Sequence, residues 1–388
     1  MSEYAVLGVF TLLVSALSSL LITPLVIAVA PRIGAVDAPE ARKVHGRPTA
    51  RIGGIAVFGG FLGGLLFAAH ATGMLYTSPT VSVYWSVFAV CTIGMFLLGL
   101  MDDIRHVSFK IKFLFQIAAA VVIWAGGFRI VEVTHPFQDG TLVFPLWASL
   151  CITVLWVVGI TNAMNLIDGL DGLAAGTALI VTVTVACIAF IQNQIGVLAA
   201  SVALVGSLIG FLFFNFNPAK IFLGDSGSMF LGFVLAVISM RGSHKGPTAV
   251  AVLIPLLVLA LPILDTTLAV TRRLRRLRKR GEDEGRGIGF ILRNLDHLFL
   301  PDRGHLHHQL LDLGYGHRSA VLILYGGVLT LALAALALVI AKSRLVAAII
   351  ISVLAVGLAL FVLVIITTRF QKRGEKAGGK RMEEKPLR

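Results

Sequence analysis

Five aspartates set the chemistry open to this 388-residue sequence. Asp102 and Asp103 are adjacent, Asp168 and Asp171 lie three residues apart, and Asp225 sits in the turn Gly224-Asp225-Ser226-Gly227. Taken singly, a carboxylate at the end of an apolar segment caps a helix. Five of them in three loops, with few bases nearby, exceed what capping needs. Clustered carboxylates without a matching Cys/His set suit a hard divalent cation, Mg²⁺ with Mn²⁺ as the alternative. Mg²⁺ takes one or two protein carboxylates and fills its shell with water and phosphate oxygens. The remaining acids are then available to position or deprotonate a nucleophile. Gly224 and Gly227 expose backbone N–H groups to a phosphate while Asp225 faces the metal. His305, His307 and His308 form an HxHH group that lacks a second ligand set at zinc spacing. Hydrogen bonding to phosphate or proton transfer is the better reading for them.

The run from Thr161 to Ala174 concentrates this chemistry between two long apolar stretches. On a helix, a step of three residues turns the chain by about 300°, so Asn165, Asp168 and Asp171 would share one broad face. Gly169 and Gly172 weaken a helix by about 1 kcal/mol each, which leaves a helix end or bent turn as an equal alternative. Either arrangement gathers oxygen-rich side chains beside a membrane-length segment, which is costly without a function.

The elements that must hold these residues are membrane helices. The chain is 57% hydrophobic and 14% charged, with a mean hydropathy of +0.91. That composition excludes a soluble domain and predicts an all-α, polytopic integral membrane protein. Eleven spans are predicted: Tyr4–Ala30, Ile52–Thr72, Val81–Leu100, Ile111–Gly126, Phe144–Ile160, Leu173–Ile191, Ile195–Phe214, Met229–Met240, Thr248–Val270, Ser319–Ala341 and Leu345–Thr367. Met229–Met240 is long enough only if its helix starts near Gly224. The first run is too long, and lacks the cleavage site, for a removable signal peptide. Of 33 Lys and Arg, 28 fall on one side of these spans, which predicts an outside N-terminus and a cytoplasmic C-terminus. Every acidic motif and the histidines then lie on cytoplasmic loops of a plasma (inner) membrane protein. Residues 1–370 read as one transmembrane catalytic domain, with the HxHH group in loop 271–318 and a disordered tail at 371–388.

Other features read as structural. The glycines of the second span, from Gly53 to Gly64, have the small-xxx-small spacing that lets helices approach. The basic run Arg272–Arg280 reads as a helical extension anchored at anionic headgroups. Cys91, Cys151 and Cys187 lie within apolar runs without CxxC spacing, which argues against disulfides and cysteine metal sites. The net charge of +13 has no aromatic-basic surface beside it, so nucleic acid is excluded as a partner.

Five motifs together resemble the polyprenyl-phosphate N-acetylhexosamine-1-phosphate transferases (glycosyltransferase family 4). They are Arg42-Lys43-Val44-His45 with Gly53-Gly54; Gly99-Leu100-Met101-Asp102-Asp103; Asn165 through Gly172; Asn215 through Ser228; and His305-Leu306-His307-His308. They keep the family's order from the first span to the tenth. Pro262 to Thr266 followed by Arg272-Arg273, and the histidines after Pro301-Asp302-Arg303, resemble the undecaprenyl-phosphate GlcNAc branch. The phospho-MurNAc-pentapeptide translocase is the alternative. The resemblance implies transfer of GlcNAc-1-phosphate from UDP-GlcNAc to a polyprenyl phosphate, with release of UMP, as the first membrane step of a cell-envelope glycopolymer. It also implies roles. Asp225, with Asp103, would hold Mg²⁺; Asp102 and Asp103 would orient or deprotonate the lipid phosphate. Asn165, Asp168 and Asp171 would shape the nucleotide site, and Phe222 would stack on uracil. Lys112, Arg303, His305, His307 and His308 would contact phosphates. Direct attack by the lipid phosphate is preferred to a covalent phospho-enzyme, because phosphate needs little activation. The partners are the nucleotide sugar, the lipid carrier and the membrane, with a homodimer admitted. A polytopic transporter is the rival class, but transporters place ionisable groups at mid-span. Here Asp265 is the main charge inside a span.

Overall fold

The computed structural model describes residues 2–37, 48–71, 79–134, 141–241, 259–283 and 306–341, with a few isolated positions after them. Its helices are α1 Ser2–Val29, α2 Gly54–Ala71, α3 Pro79–Arg105, α4 Phe109–Ala125, α5 Leu146–Ile167, α6 Leu173–Ile191, α7 Ile195–Asn215, α8 Gly224–Arg241, α9 Ala260–Asp283, α10 Leu306–Asp312 and α11 His317–Ala341. Among the described residues, seven helices are apolar and long enough to cross a membrane, and Gly224–Met240 is a shorter apolar helix. The protein is thus a helical, multi-pass membrane protein. Residues 248–258 of the ninth predicted span and nearly all of the eleventh lie outside the described residues, as does the tail. The described part of the ninth continues without a break into the arginine-rich run, as α9.

The helices pack around α8. Every residue from Ser226 to Met240 is buried, so this helix is apolar all round because it meets protein on all sides. It is flanked by α3 and α5 and touched by α2, while α1, α2 and α7 form a neighbouring group joined to α6 and then α11. The start of α8 is gripped backbone against backbone. A Cβ on Gly54 would lie 2.2 Å from the Gly227 nitrogen, and one on Gly99 would lie 2.4 Å from the Asp225 carbonyl oxygen. Farther along α2 the glycine stripe receives α1, where a Cβ on Gly64 would lie 1.7 Å from Ser15 Oγ. The stripe is a packing device, as its spacing predicts.

Two small antiparallel ribbons depart from a purely helical chain: β1 Val36–Asp37 with β2 Thr49–Ala50, and β3 Glu132–Thr134 with β4 Thr141–Val143. Each lies between helices, where pairing satisfies loop backbone that has no helix to join. The first ribbon matters for the site. Ala50 also bridges Ile221 in parallel, and the Phe222 N–H donates to the Ala50 carbonyl at 2.7 Å. The Gly53 and Gly54 N–H groups then donate to the Phe222 and Leu223 carbonyls at 3.0 and 2.8 Å. This ladder brings the segment before α2 against the segment before α8.

Candidate active site

The helix α8 begins just beyond this ladder, at Gly224. Its φ of +73° suits glycine, and a Cβ there would lie 2.0 Å from the Arg51 carbonyl oxygen. The first N–H groups of a helix need acceptors. Asp103, at the end of α3, supplies them from another helix: Oδ1 accepts the Asp225 N–H at 2.8 Å and Oδ2 the Ser226 N–H at 2.9 Å. Its carboxylate also faces the positive end of the α8 dipole. Asp225 itself is therefore released from capping. Its Oδ1 accepts the Asn165 amide at 3.0 Å, and the same amide reaches Ser228 Oγ at 2.9 Å. Its Oδ2 pairs with Lys112 Nζ at 3.0 Å.

Lys112 comes from the first turns of α4 and bridges two carboxylates. It lies 2.7 Å from Asp102 Oδ2, while Asp102 Oδ1 accepts the Val107 N–H at 2.6 Å and closes the α3–α4 turn. The Lys112 cation of α4 thus joins α3 through Asp102 to α8 through Asp225, and α5 reaches the same Asp225 through Asn165.

The second acidic pair is divided. Helix α5 ends at Ile167, and Asp168 leaves it with φ −75° and ψ 57°. Of the two expectations for this stretch, the helix end is the one realised, so Asn165, Asp168 and Asp171 do not share a helix face. Asp168 turns into a cavity with Asp103 and Asp225. Burial, followed by the charges of Asp225, Asp103 and Asp171, pushes its carboxyl well above the usual carboxylate range. Asp171 is buried and braces a loop: its Oδ2 accepts the Asn217 amide at 2.9 Å and the Ala219 N–H at 3.0 Å. Tyr325 of α11 donates to the Gly172 carbonyl at 2.5 Å and fixes the same turn.

The cavity has a volume of about 560 Å³, within the range of small-ligand sites. It gathers Asp103, Asp168, Asp171, Phe222, Asp225 and His308 from the sequence-predicted set. Lys112 and Asn165 stand behind it, bonded to Asp225. His307 is buried on α10, where a Cβ on Gly169 would lie 2.5 Å from its Nε2. Its ring centre is 4.3 Å from that of His308. The helix α10 is held by Asp265 of α9, whose Oδ1 accepts the Leu306 N–H at 2.8 Å. That is the role of the main charge predicted inside a span. Arg303 and His305, like Arg42 to His45, lie outside the described residues. The cavity also takes in Asn215, the first residue of the fourth motif, and Asp37, Arg51, Asp312 and His317, which the sequence reading passed over. Arg51 carried a signal, since it stands two residues before the Gly53-Gly54 pair. His317 carried none beyond its place at the start of α11.

Among the described residues, no group of three or more His, Cys, Asp or Glu converges to hold a metal ion. The oxygens available are those of acids that repel one another, a donor set fit for a hard cation bound by one or two carboxylates plus ligand oxygens.

Comparison with known proteins gives this arrangement its lineage. Residues 85–243, which hold all five aspartates but neither Arg51 nor the histidines, match the model for glycosyl transferase family 4. The probable undecaprenyl-phosphate N-acetylglucosaminyl 1-phosphate transferase of Bacillus subtilis (strain 168) is 39% identical over 322 residues, covering 82% of this chain and 81% of that protein. The decaprenyl-phosphate N-acetylglucosaminephosphotransferase of Mycobacterium tuberculosis (strain ATCC 25618 / H37Rv) is 36% identical over 322 residues, 76% of this chain and 74% of its own. A phospho-N-acetylmuramoyl-pentapeptide-transferase of Bacillus subtilis (strain 168) is 35% identical over 243 residues, but these cover only 60% of this chain. With its acidic motifs inside the matched region and likeness to the first two relatives running through most of its length, the chain belongs to glycosyl transferase family 4.

Proposed function

We propose that the chain transfers GlcNAc-1-phosphate from UDP-GlcNAc to a polyprenyl phosphate in the plasma membrane. An oxygen of the lipid phosphate attacks the β-phosphorus, the bridging P–O bond to UMP breaks, and UMP leaves. The product is polyprenyl-diphosphate-GlcNAc. The observation that carries this reading is the Lys112-bridged set of Asp102 and Asp225, beside a cavity at the ends of membrane-length helices. Likeness to two GlcNAc-1-phosphate transferases over most of the chain supports the donor.

The residues present fit Mg²⁺. Asp225 and Asp103 would hold it, with Asp168 lining the same cavity. When bound, it offsets negative charge on the transferring phosphate. The chain's own groups do the rest. Lys112, fixed between two carboxylates, offers a cation to an incoming phosphate. Asp102 orients that phosphate, which needs little deprotonation because its second pKa is about 6. The half-buried Asp168 carboxyl, its pKa raised by burial and neighbouring carboxylates, can hold a proton at the cavity wall. Phe222 offers its ring to the uracil and His308 a donor to phosphate. The 28 basic residues on one side of the spans support a cytoplasmic active site and an outside N-terminus. Both substrates suit that placement, one soluble and one at headgroup depth.

Purified protein in detergent, given Mg²⁺, polyprenyl phosphate and UDP-GlcNAc, is expected to release UMP. It is expected not to do so with UDP-MurNAc-pentapeptide. Equal turnover with both donors, or preference for the pentapeptide, would refute the assignment.

A further inference from the structure

Arg51 has a position that its neighbours do not explain. Its backbone is tied on both sides: its N–H donates to the Ala35 carbonyl at 3.1 Å, and the preceding Ala50 is laddered to Ile221 and Phe222. Its carbonyl packs where a Cβ on Gly224 would sit. The side chain is partly buried and reaches the cavity that holds Asp103, Asp168 and Asp225. One terminal nitrogen donates to the backbone carbonyl of Asp103. The guanidinium Nε is buried and, among the described residues, has no hydrogen-bond partner. Among the described residues Arg51 forms no ion pair, although six aspartates line the same cavity.

A guanidinium carries five N–H donors and a permanent charge. Bracing one neutral carbonyl uses one donor and none of the charge. An orphaned N–H on a buried cation is expensive unless something outside the protein completes it. The group that matches a planar fork, a positive charge and an acid-lined site is a phosphate oxyanion, which arginine grips with two parallel bonds. Arg51 also follows directly on strand β2, beside the first turn of α8, so its approach to the cavity is set before any ligand arrives.

We propose that Arg51 binds phosphate oxygens of a substrate in this cavity, as a binding residue placed opposite the acidic centre. The phosphate belongs either to the nucleotide diphosphate or to the lipid. This inference rests on the phosphotransfer reading above, and the two can fail separately.

The test uses the full-length protein in detergent and the variants Arg51→Gln and Arg51→Lys. Glutamine keeps an N–H₂ for the Asp103 carbonyl but has no charge; lysine keeps the charge without the fork. UMP release is measured while UDP-GlcNAc and polyprenyl phosphate are varied in turn. Arg51→Gln is expected to raise one of the two KM values by about tenfold or more, and the KM that moves identifies the phosphate. Arg51→Lys is expected to recover part of that loss, with an unfolding midpoint near wild type for both variants. Both KM values within twofold of wild type, whatever happens to kcat or the unfolding midpoint, would reduce Arg51 to a brace and overturn the proposal. If wild type releases no UMP, the transfer reading has failed alone, and binding of UDP, uridine and inorganic phosphate then decides Arg51. Weaker UDP or phosphate binding by Arg51→Gln with unchanged uridine binding supports it; unchanged affinity for all three refutes it.

Discussion

The acidic centre and the histidine helix are both parts of one cavity wall, yet they are built in opposite ways. Asp102, Asp103 and Asp225 are each held by two hydrogen bonds or ion pairs from outside their own helix: Asp102 by the Val107 N–H and Lys112, Asp103 by two N–H groups of α8, and Asp225 by Lys112 and Asn165. Helix α8 is locked between glycines of α2 and α3. His307 and His308 ride on α10, a seven-residue helix whose first N–H is accepted by the Asp265 carboxylate. Leu306, His307, Gln309 and Leu310 of that helix are buried. The difference teaches where rigidity is needed. Charges that must stay close to one another despite repulsion need fixed partners, whereas a group that contacts a ligand can sit on an element with fewer constraints.

The largest expected effect comes from breaking the rigid side. Asp225→Asn keeps size, and the capping of α8 by Asp103 remains intact. The fold is therefore expected to survive. What goes is the charge that pairs with Lys112 and that would hold Mg²⁺. Neutralising charge on a transferring phosphate is worth several kcal/mol, so UMP release is expected to fall by about a thousandfold or more. Activity within threefold of wild type, with an unchanged Mg²⁺ midpoint, would remove Asp225 from the metal site and turn attention to Asp103.

An intermediate effect is expected on the looser side. Asp265→Ala deletes the acceptor of the Leu306 N–H and should loosen α10 without touching the acidic centre. Losing a cap costs about 1 kcal/mol, and the histidines would lose their fixed approach. Turnover is expected to drop by about tenfold while the unfolding midpoint moves little; Asp265→Asn should restore most of it, because asparagine caps about as well. A large fall in the unfolding midpoint for Asp265→Ala would mean that α10 belongs to the rigid core after all.

The same contrast separates what the sequence discloses from what it does not. Helices α1 to α7 are legible as apolar runs, and the start of α8 follows from the length a membrane demands. The acidic residues are legible as types, since five carboxylates beside such runs need a reason. Their division of labour is not. Asp102 and Asp103 are neighbours of one kind, yet one braces the α3–α4 turn and meets Lys112 while the other caps a helix more than a hundred residues away. Asp171 looks like a partner of Asp168 but holds the 217–219 turn. Each assignment depends on which backbone N–H tertiary packing brings near, and local spacing holds no record of that. Arg51 carried only the faint signal of standing two residues before the Gly53-Gly54 pair: one arginine among 33 basic residues gains its meaning when the β2 ladder places it in the cavity.

The smallest expected effect tests the electrostatic strain that distinguishes the acidic centre. Asp168 has a folded-state pKa raised well above its ordinary value by burial and by the charges of Asp225, Asp103 and Asp171. A raised carboxyl pKa means that the folded state keeps a proton that the unfolded state has already released. The associated stability is fully present below the unfolded pKa of about 4 and is lost as pH rises through the folded value. In EDTA, the unfolding midpoint of the detergent-solubilised protein is therefore expected to fall between pH 5 and pH 8. Asp168→Asn removes one of the titrating groups and one repelling charge, so its curve should be flatter, ending about 2–4 °C above wild type at the upper pH. It should not be flat, because burial also pushes the Asp103 carboxyl up to about 7. Mg²⁺ should flatten the wild-type curve as well, because a bound cation favours the ionised carboxylates it neutralises. Identical pH slopes for wild type and Asp168→Asn in EDTA would show that the carboxylates relax apart without a cation. The acidic centre would then be no more rigid than the histidine helix beside it.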